Sequence, residues 1–278
     1  MMELPEAVAM AGQIDMELAG RRIADAERES RPHKWVFYNR PREEYEAILP
    51  GRTVGKARPD GSHVNIGLSG GFTLQLGDGG VRILLHSDDS RLPGTYHLLL
   101  RLADGQVLTV SVQGWGAVRL FDRAGFRKWR ERNPAGVSPV AREFTYDSFK
   151  RIVAEYAAAC DKPVKAFLIN HPNFPGIGNG YLQDILFRAG LHPRRKVRGL
   201  KAAEARRLHR AIRKVLTDAV SKGGRDDELD LFGRGGRYVR LLDRRSKGRP
   251  CPNCGTRIAK IQYLGGACYL CPNCQPEA

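Results

Sequence analysis

The chain has 278 residues, and 46 Lys or Arg against 30 Asp or Glu give it a formal net charge of +16. Hydrophobic residues make up 42% and charged residues 27%, a globular composition that excludes an intrinsically disordered chain. No apolar run approaches the roughly 20 residues needed to cross a bilayer, and acidic residues among the first twenty exclude a secretory signal peptide. We therefore expect a cytoplasmic protein whose partner is a polyanion.

Most of the net positive charge, +12 of +16, lies in one segment, Arg194–Arg249, which holds 19 basic and 7 acidic residues. A charge concentrated in this way is typical of a nucleic-acid-binding surface. A solvated helix face is the alternative interpretation. Membrane binding fits less well, because no large apolar face accompanies the basic residues.

The first part of the chain begins with one helix and then changes character. Small or apolar side chains recur at helical spacing over residues 3–19, and Gly20 ends the pattern. Further on, many of the glycines separate short runs of strand length: Phe72–Leu76, Val81–His86, Tyr96–Leu102 and Val107–Val112. Residues 1–130 are therefore predicted to form an N-terminal helix and a β-sandwich or barrel of antiparallel strands.

After a polar, proline-containing linker over residues 131–139, the hydrophobic periods become helical. Residues 140–224 are predicted to form a helical domain, which ends at Gly223-Gly224. Residues 225–249 are rich in Gly and Arg without a clear period and are predicted to be a loop. The fold class predicted for the whole chain is α+β.

Four cysteines near the end of the chain have the spacing of a zinc site. Cys251 and Cys254 form one C-x-x-C pair, and Cys271 and Cys274 form a second pair after sixteen intervening residues. Four thiolates give the tetrahedral set that Zn²⁺ prefers, and strand-like runs between the pairs complete a zinc ribbon over residues 250–275. With no open ligand position, one structural Zn²⁺ is expected. Two disulfides are the alternative. The remaining cysteines, Cys160 and Cys268, are expected to pack rather than ligate.

A Gly-rich turn, PGIGNG, ends at Gly180 immediately before a predicted helix. Backbone N–H groups at such a helix start are open to an anion, and the helix dipole favours negative charge there. Asn179 can add a side-chain donor, and Lys165 lies upstream. The pattern is also consistent with a tight connection between two helices.

Taken together, these motifs resemble the formamidopyrimidine-DNA glycosylase and endonuclease VIII family of base-excision enzymes. The resemblance is carried by Glu3-Leu-Pro-Glu6, Val164-Lys165, the block PGIGNGYLQDILFRAGLHP and the terminal ribbon ending in CPNCQ. The block resembles the family's helix–two-turn–helix, which also occurs in a ribosomal small-subunit protein. The resemblance implies a β-sandwich domain, a helical DNA-binding domain, and double-stranded DNA, damaged or abasic, held between them with the damaged nucleotide flipped out.

The resemblance also implies roles for individual residues. In the family an N-terminal Pro amine attacks the sugar C1′ and forms a Schiff base, and an adjacent Glu assists proton transfer. Glu3 matches that Glu, Glu6 matches a second family Glu, and Lys165 and Asn179 fall on phosphate-binding positions. The loop that caps the flipped base contains Tyr238 and Phe232, which are expected either to stack on a base or simply to pack.

The sequence departs from the family at the lesion site. Met2 stands at the position of the nucleophilic Pro, and its nitrogen is a free amine only if Met1 is removed. The family's catalytic Lys is missing, its void-filling Met and Arg align with Asp78 and Gln113, and its ribbon Arg falls on Gly266. Trp115 is expected to serve as an aromatic wedge instead.

These features favour a monomeric DNA glycosylase of bacterial base-excision repair, located in the cytoplasm with the nucleoid, whose AP-lyase activity is doubtful. The expected catalytic residues are Met2, Glu3 and Glu6. A damaged-DNA-binding pseudoenzyme is the first alternative, since Glu3 is also a residue that a helix dipole favours at this position. A zinc-ribbon protein that binds RNA or the ribosome is the second.

Overall fold

The computed structural model describes residues 1–169, 172 and 174–277. The chain divides into two compact units, each discontinuous in sequence. The first comprises Met1–Pro134 and Lys222–Arg237, and the second comprises Ala135–Ser221 and Tyr238–Ala278. In the part of the chain that is described, no helix is both long and apolar enough to span a membrane.

The first unit contains three helices and nine strands: α1 Leu4–Leu18, β1 Ile23–Glu27, β2 Val36–Phe37, α2 Arg42–Ile48, β3 Val54–Asp60, β4 His63–Leu68, β5 Phe72–Gly77, β6 Val81–His86, β7 Leu98–Leu102, β8 Val107–Val112, β9 Gly116–Phe121 and α3 Arg123–Arg132. The second contains four helices and a two-stranded ribbon: α4 Tyr146–Ala159, α5 Val164–Ile169, α6 Asn179–Ala189, α7 Ala202–Ser221, β10 Ala259–Tyr263 and β11 Gly266–Leu270. Short 3-10 turns lie at Ser69–Gly71 and Val197–Gly199.

Helix α1 begins where the sequence supplies a start signal. Pro5 lies in its first turn, where a missing N–H costs nothing, and the Glu6 carboxylate accepts the backbone N–H of Glu3 at 2.9 Å. The buried face of the helix includes Met10 and Ile14, and Gly20 follows its end in the left-handed conformation. The helix therefore presents the Glu-Leu-Pro-Glu segment at a fixed N-terminus.

Two sheets make up the β-structure of the first unit. One has four strands in the order β1-β7-β8-β6, and the other has five in the order β2-β9-β5-β4-β3. All neighbouring strands are antiparallel except β2 and β9, which pair in parallel. A single hydrophobic core joins α1 with residues of both sheets, for example Ile83 and Leu108 of one sheet and Leu74 of the other. The arrangement is a β-sandwich and not a closed barrel.

Buried aromatic side chains form much of the core of the second unit. Phe144, Phe149, Phe167 and Phe174 contact one another edge-on or tilted, and the ring of His209 packs against two of them. Helix α6 packs against α7 and against β11 of the ribbon. It ends at Gly190, which adopts the left-handed conformation that favours glycine at this position.

The structure confirms the predicted α+β class, the N-terminal helix, the β-sandwich, the C-terminal helices and the ribbon hairpin. Helices α2 and α3 were not expected. Helix α3 has no fully buried residue, and its N-terminus is capped by the Asp122 carboxylate, which accepts the Gly125 N–H at 2.7 Å. A polar helix of this kind lacks the apolar period by which the other helices were recognised.

Candidate active site and metal centre

Three charged side chains meet beneath the N-terminus of α1 in the first unit. Glu3 and Arg225 are each only 3% exposed, and Glu6 is also buried. The guanidinium of Arg225 donates from Nη1 to Glu3 Oε1 at 2.9 Å, and its Nε lies 3.3 Å from Glu6 Oε1. Two buried carboxylates thus share one buried guanidinium, which is the condition under which buried charges are tolerated.

The backbone around Arg225 fits this arrangement closely. The Arg225 N–H donates to Glu6 Oε1 at 3.0 Å. Gly224 precedes it at φ +92°, and a Cβ on Gly224 would lie 2.9 Å from both Cγ and Oε1 of Glu6. Glycine is therefore required at 224 both by the left-handed backbone and by the close approach of the Glu6 side chain.

The two N-terminal methionines differ in burial: Met2 is buried and Met1 is exposed. The side chain of Met2 belongs to the hydrophobic core, and its backbone N–H donates to the Gly79 carbonyl at 3.0 Å. Met1 is 48% exposed, its amine contacts the Glu228 carboxylate, and its carbonyl accepts from Arg225. With Met1 present, the nitrogen of Met2 is thus an amide engaged in the core, and the amine lies one residue further out.

A cavity of about 90 Å³ opens beside this cluster. Its walls are polar and come from four parts of the first unit: Met1, Gly80–Arg82, Gln113 and Asp227–Leu229. Arg225 contacts two of these residues, Met1 and Glu228, and also Glu3. The same guanidinium therefore connects the cavity wall to the buried carboxylates.

The second unit holds a cluster of four cysteines. The sulfurs of Cys251, Cys254, Cys271 and Cys274 all lie within 4.8 Å of one another, and three of the pairs are 3.4, 3.4 and 3.8 Å apart. A tetrahedron with metal–sulfur bonds of about 2.3 Å has sulfurs about 3.8 Å apart. Hydrogen bonds, the largest from Thr256, lower the pKa of the Cys254 thiol to about 5, whereas burial raises the pKa of Cys271 and Cys274, so the sulfur geometry carries the assignment. The cluster therefore fits a tetrahedral metal ion.

Lys165 and Asn179 both lie beside the ribbon hairpin of the second unit. Lys165 is fully buried, with its Nζ donating to the Tyr263 carbonyl and lying 3.4 Å from the sulfur of Cys268. Asn179, the first residue of α6, is exposed. A Cβ on Gly266 would lie 3.1 Å from Asn179 Nδ2 and 3.6 Å from Lys165 Nζ. The structure thus brings together the two expected phosphate ligands beside Gly266, the residue on which the resemblance places the family's ribbon Arg.

The three aromatic residues singled out from the sequence differ in exposure. Trp115 in the β8–β9 turn is 42% exposed and Phe232 is 41% exposed. Tyr238 is buried, and its hydroxyl donates to Asp184 Oδ2 at 2.8 Å. Asp184 also accepts the N–H groups of residues 241 and 242, and burial raises the pKa of both Asp184 and Tyr238. The exposed rings of Trp115 and Phe232 are the ones that present a face for stacking.

Sequence reasoning missed Arg225 and Glu228 as members of the acidic cluster. Both were assigned only to a Gly- and Arg-rich loop. An available signal was the segment Gly-Gly-Arg-Asp, in which two glycines allow a backbone to approach another chain segment closely. That signal does not identify the segment approached, which lies more than two hundred residues earlier.

Comparison with known proteins places this arrangement in a family. Residues 135–228 match the model of the formamidopyrimidine-DNA glycosylase H2TH domain. The chain is 31% identical over 284 residues to the formamidopyrimidine-DNA glycosylase of Roseiflexus sp., covering 99% of this chain and 100% of that protein. It is also 31% identical over 239 residues to the Thermus thermophilus enzyme of the same name, covering 82% of this chain and 88% of that protein.

Solved structures show the same fold. The Lactococcus lactis Fpg in complex with DNA containing an abasic site superposes with a TM-score of 0.87 at 24% identity, over 99% of this chain and 100% of that one. Its complex with DNA containing an oxidised pyrimidine gives a TM-score of 0.86 over the same shares of the two chains. The full-length identity to the curated relatives and the matched H2TH domain agree with the acidic N-terminus and the four-cysteine ribbon, and the chain therefore belongs to the formamidopyrimidine-DNA glycosylase family of base-excision-repair enzymes.

Proposed function

We propose that the protein is a DNA glycosylase that removes a damaged base from duplex DNA by hydrolysis, with Glu3 acting on the attacking water. The observation that carries the proposal is the fixed Glu3 carboxylate, held by Arg225 at 2.9 Å, beside a Met2 nitrogen that is an internal amide bonded to Gly79. The first group can orient water or accept a proton. The second cannot form an imine while Met1 remains attached.

The proposed reaction begins with the damaged nucleotide flipped out of the duplex, so that its C1′ reaches Glu3. The bond between C1′ and the base breaks, the bonding electrons leave with the base, and a water oxygen forms the new bond to C1′. Glu3 accepts a proton from that water, the departing base takes a proton from solvent water, and Glu3 then returns its proton to solvent. Because Glu3 is buried, we propose that DNA displaces the exposed Met1, which contacts the same guanidinium as Glu3.

AP-lyase activity, in this proposal, depends on whether Met1 is removed. A chain that begins at Met2 has a free α-amine, whose ordinary pKa is about 7.7–8.0, so a substantial fraction is unprotonated at neutral pH. That amine can attack C1′, as proposed for Met2 from the sequence. Glu6 then serves mainly to hold Arg225 and the first turn of α1.

Contacts to DNA are proposed for residues of both units. Asn179 supplies an exposed phosphate donor, and Lys165 supplies a second once DNA displaces its buried Nζ from the Tyr263 carbonyl; the grouping of both beside Gly266 supports this assignment. Trp115 is proposed as the wedge in the base stack because its ring is exposed. For the loop over the flipped base, Phe232 is the better supported stacking residue, since the hydroxyl and ring of Tyr238 are buried.

The four-cysteine cluster is proposed to hold one structural Zn²⁺. Four sulfur donors leave no open position for a substrate, so the ion would stabilise the ribbon and take no part in the reaction. A duplex-DNA substrate supports a location in the bacterial cytoplasm with the nucleoid.

The test is base release from duplexes that carry oxidised purines, oxidised pyrimidines or an abasic site. We expect the wild-type chain to release at least one modified base, and Glu3→Gln to lower the rate by about 10²–10⁴-fold, the usual contribution of general acid–base catalysis. Glu17→Gln, near the other end of α1, is the matched control and should leave the rate unchanged.

Borohydride trapping separates the two chemistries. A covalent adduct is expected only with protein whose N-terminal sequence begins at Met2. Failure to release any base from the panel, combined with tight binding to abasic DNA, would overturn the proposal in favour of a damaged-DNA-binding protein.

A further inference from the structure

Arg225 is the least expected member of the buried cluster, because nothing in the proposed reaction requires a cation at this point. Its guanidinium is nevertheless as buried as Glu3. An arginine side chain carries five N–H donors in a planar fork, so a buried one is stable only where several acceptors face it.

The acceptors around Arg225 come from two segments of the first unit, the N-terminal residues 1–6 and the 222–237 segment of Arg225 itself. Nη1 donates to Glu3, while Nη2 donates to the Met1 carbonyl and lies 3.4 Å from Glu6 Oε2 and 3.6 Å from Glu228 Oε1. Residues on both sides of the start of α1 are thus tied to one side chain of the 222–237 segment.

The charge of Arg225 matters as much as its hydrogen bonds. Glu3 and Glu6 place two carboxylates in one buried site, and their close approach would be repulsive without a cation between them. The guanidinium contacts both carboxylates, and these contacts fix the orientation of the Glu3 carboxylate. A lysine could supply the charge but not the planar fork that reaches Glu3, Glu6 and the Met1 carbonyl together.

We infer that Arg225 is a positioning residue for base excision, one that orients the Glu3 carboxylate toward the sugar and couples it to Met1 and Glu228 at the wall of the cavity. This inference rests on the proposed function, because it presupposes that Glu3 acts in the reaction. Arg225 itself does not touch the reacting atoms. Its effect is exerted through Glu3.

Single-turnover base release by Arg225→Gln and Arg225→Lys tests the inference. For a lesion that the wild-type chain processes, we expect Arg225→Gln to slow the chemical step on the order of 100-fold, the cost of a misplaced catalytic group. The dissociation constant for abasic duplex should stay within a few-fold of the wild type. The rate of base release by Arg225→Lys should lie between the rates of the wild type and Arg225→Gln. Arg101→Gln, in which a surface ion pair is removed, is the matched control.

Chemical rescue separates positioning from folding. In Arg225→Ala, added guanidinium ion should restore part of the rate in a saturable manner, and the same ion should have no effect on Glu3→Gln. The inference is overturned if folded Arg225→Gln, judged by circular dichroism and DNA binding, releases base at the wild-type rate, or if its loss of rate parallels a loss of folded protein and guanidinium restores nothing. Absence of release by the wild-type chain would instead contradict the proposed function.

Discussion

The four cysteines of the second unit, which form the candidate metal centre, and Glu3, Glu6 and Arg225 of the first unit, which form the acidic centre, are brought together over very different distances along the chain. The cysteines lie within Cys251–Cys274, and a single hairpin brings them together. The acidic centre joins Glu3 to Arg225 across 222 positions. The first cluster depends on local spacing and, in our proposal, on a bound Zn²⁺, whereas the second depends on the fold of the whole first unit.

This difference has an energetic consequence. A ribbon of this size has too small a hydrophobic core to fold by itself, so the proposed Zn²⁺ would supply much of its stability. The acidic centre has the opposite property: three buried charges carry a desolvation cost, which their contacts with one another and with neighbouring backbone groups offset. Removing one component should therefore affect the two regions in different ways.

The largest effect is expected at the metal centre. Cys254→Ser removes one of four thiolates, and apparent binding energies of about 10–16 kcal/mol for structural zinc show how much folding energy is at stake. Metal analysis should return about one Zn²⁺ per wild-type chain and much less for the variant, with weakened DNA binding. Cys160→Ser is the control, because Cys160 lies outside the cluster. Full metal content in Cys254→Ser would contradict a four-sulfur site.

The next effect is expected at the acidic centre. Arg225→Met leaves Glu3 and Glu6 buried without their cation and should lower the free energy of unfolding by about 3–5 kcal/mol. The triple variant Glu3→Gln, Glu6→Gln, Arg225→Met removes all three charges and should recover much of that loss. Urea denaturation measures both. A triple variant no more stable than Arg225→Met would show that charge compensation is not the reason for the arrangement.

One glycine beside each centre allows the effect of backbone substitution to be compared between the two regions. Gly224 and Gly255 both have positive φ, but an added Cβ meets Glu6 at 2.9 Å in the first case and no atom within 4 Å in the second. Gly224→Ala should therefore cost about 1–3 kcal/mol more than Gly255→Ala, since it adds a steric clash to the backbone strain. Thermal denaturation of the two variants, loaded with the same metal, gives the difference. Equal losses would indicate that Glu6 moves aside freely.

A smaller effect on the free energy of unfolding is expected from pH, and it arises from one buried histidine in each unit. Burial lowers the pKa of His97 in the first unit and of His209 in the second. The unfolded chain takes up protons near pH 6.5, whereas the folded chain resists protonation at these sites, so the free energy of unfolding should fall as the pH is lowered through about 6.5.

Urea denaturation at neutral pH and at about pH 5.5 measures this fall. His209→Gln should flatten the dependence relative to the wild type, because it removes one of the buried sites that resist protonation. A free energy of unfolding that rises on acidification would contradict the assignment.

Much of the fold was predictable because its signals are local. The bounds of β6 and β8 coincide with the predicted runs, α1 begins and ends within two residues of the pattern that indicated it, and α6 begins within two residues of the predicted helix start. Helix α3 was not predicted, because most of its residues are polar or charged and none is buried, so no apolar period marks it. The metal ligands, Glu3 and Glu6 were singled out as site residues from motifs of a few residues.

The sequence by itself determined the four-cysteine ligand set and the acidic start of α1, because both are defined by residues a turn or a hairpin apart, where chain geometry leaves little choice. Only the tertiary structure decided that residues 222–237 pack with the first unit and that Arg225 lies between Glu3 and Glu6. The physical reason is that no periodicity connects residues so far apart: their pairing follows from the packed sheets and from the rule that buried charges must meet a partner.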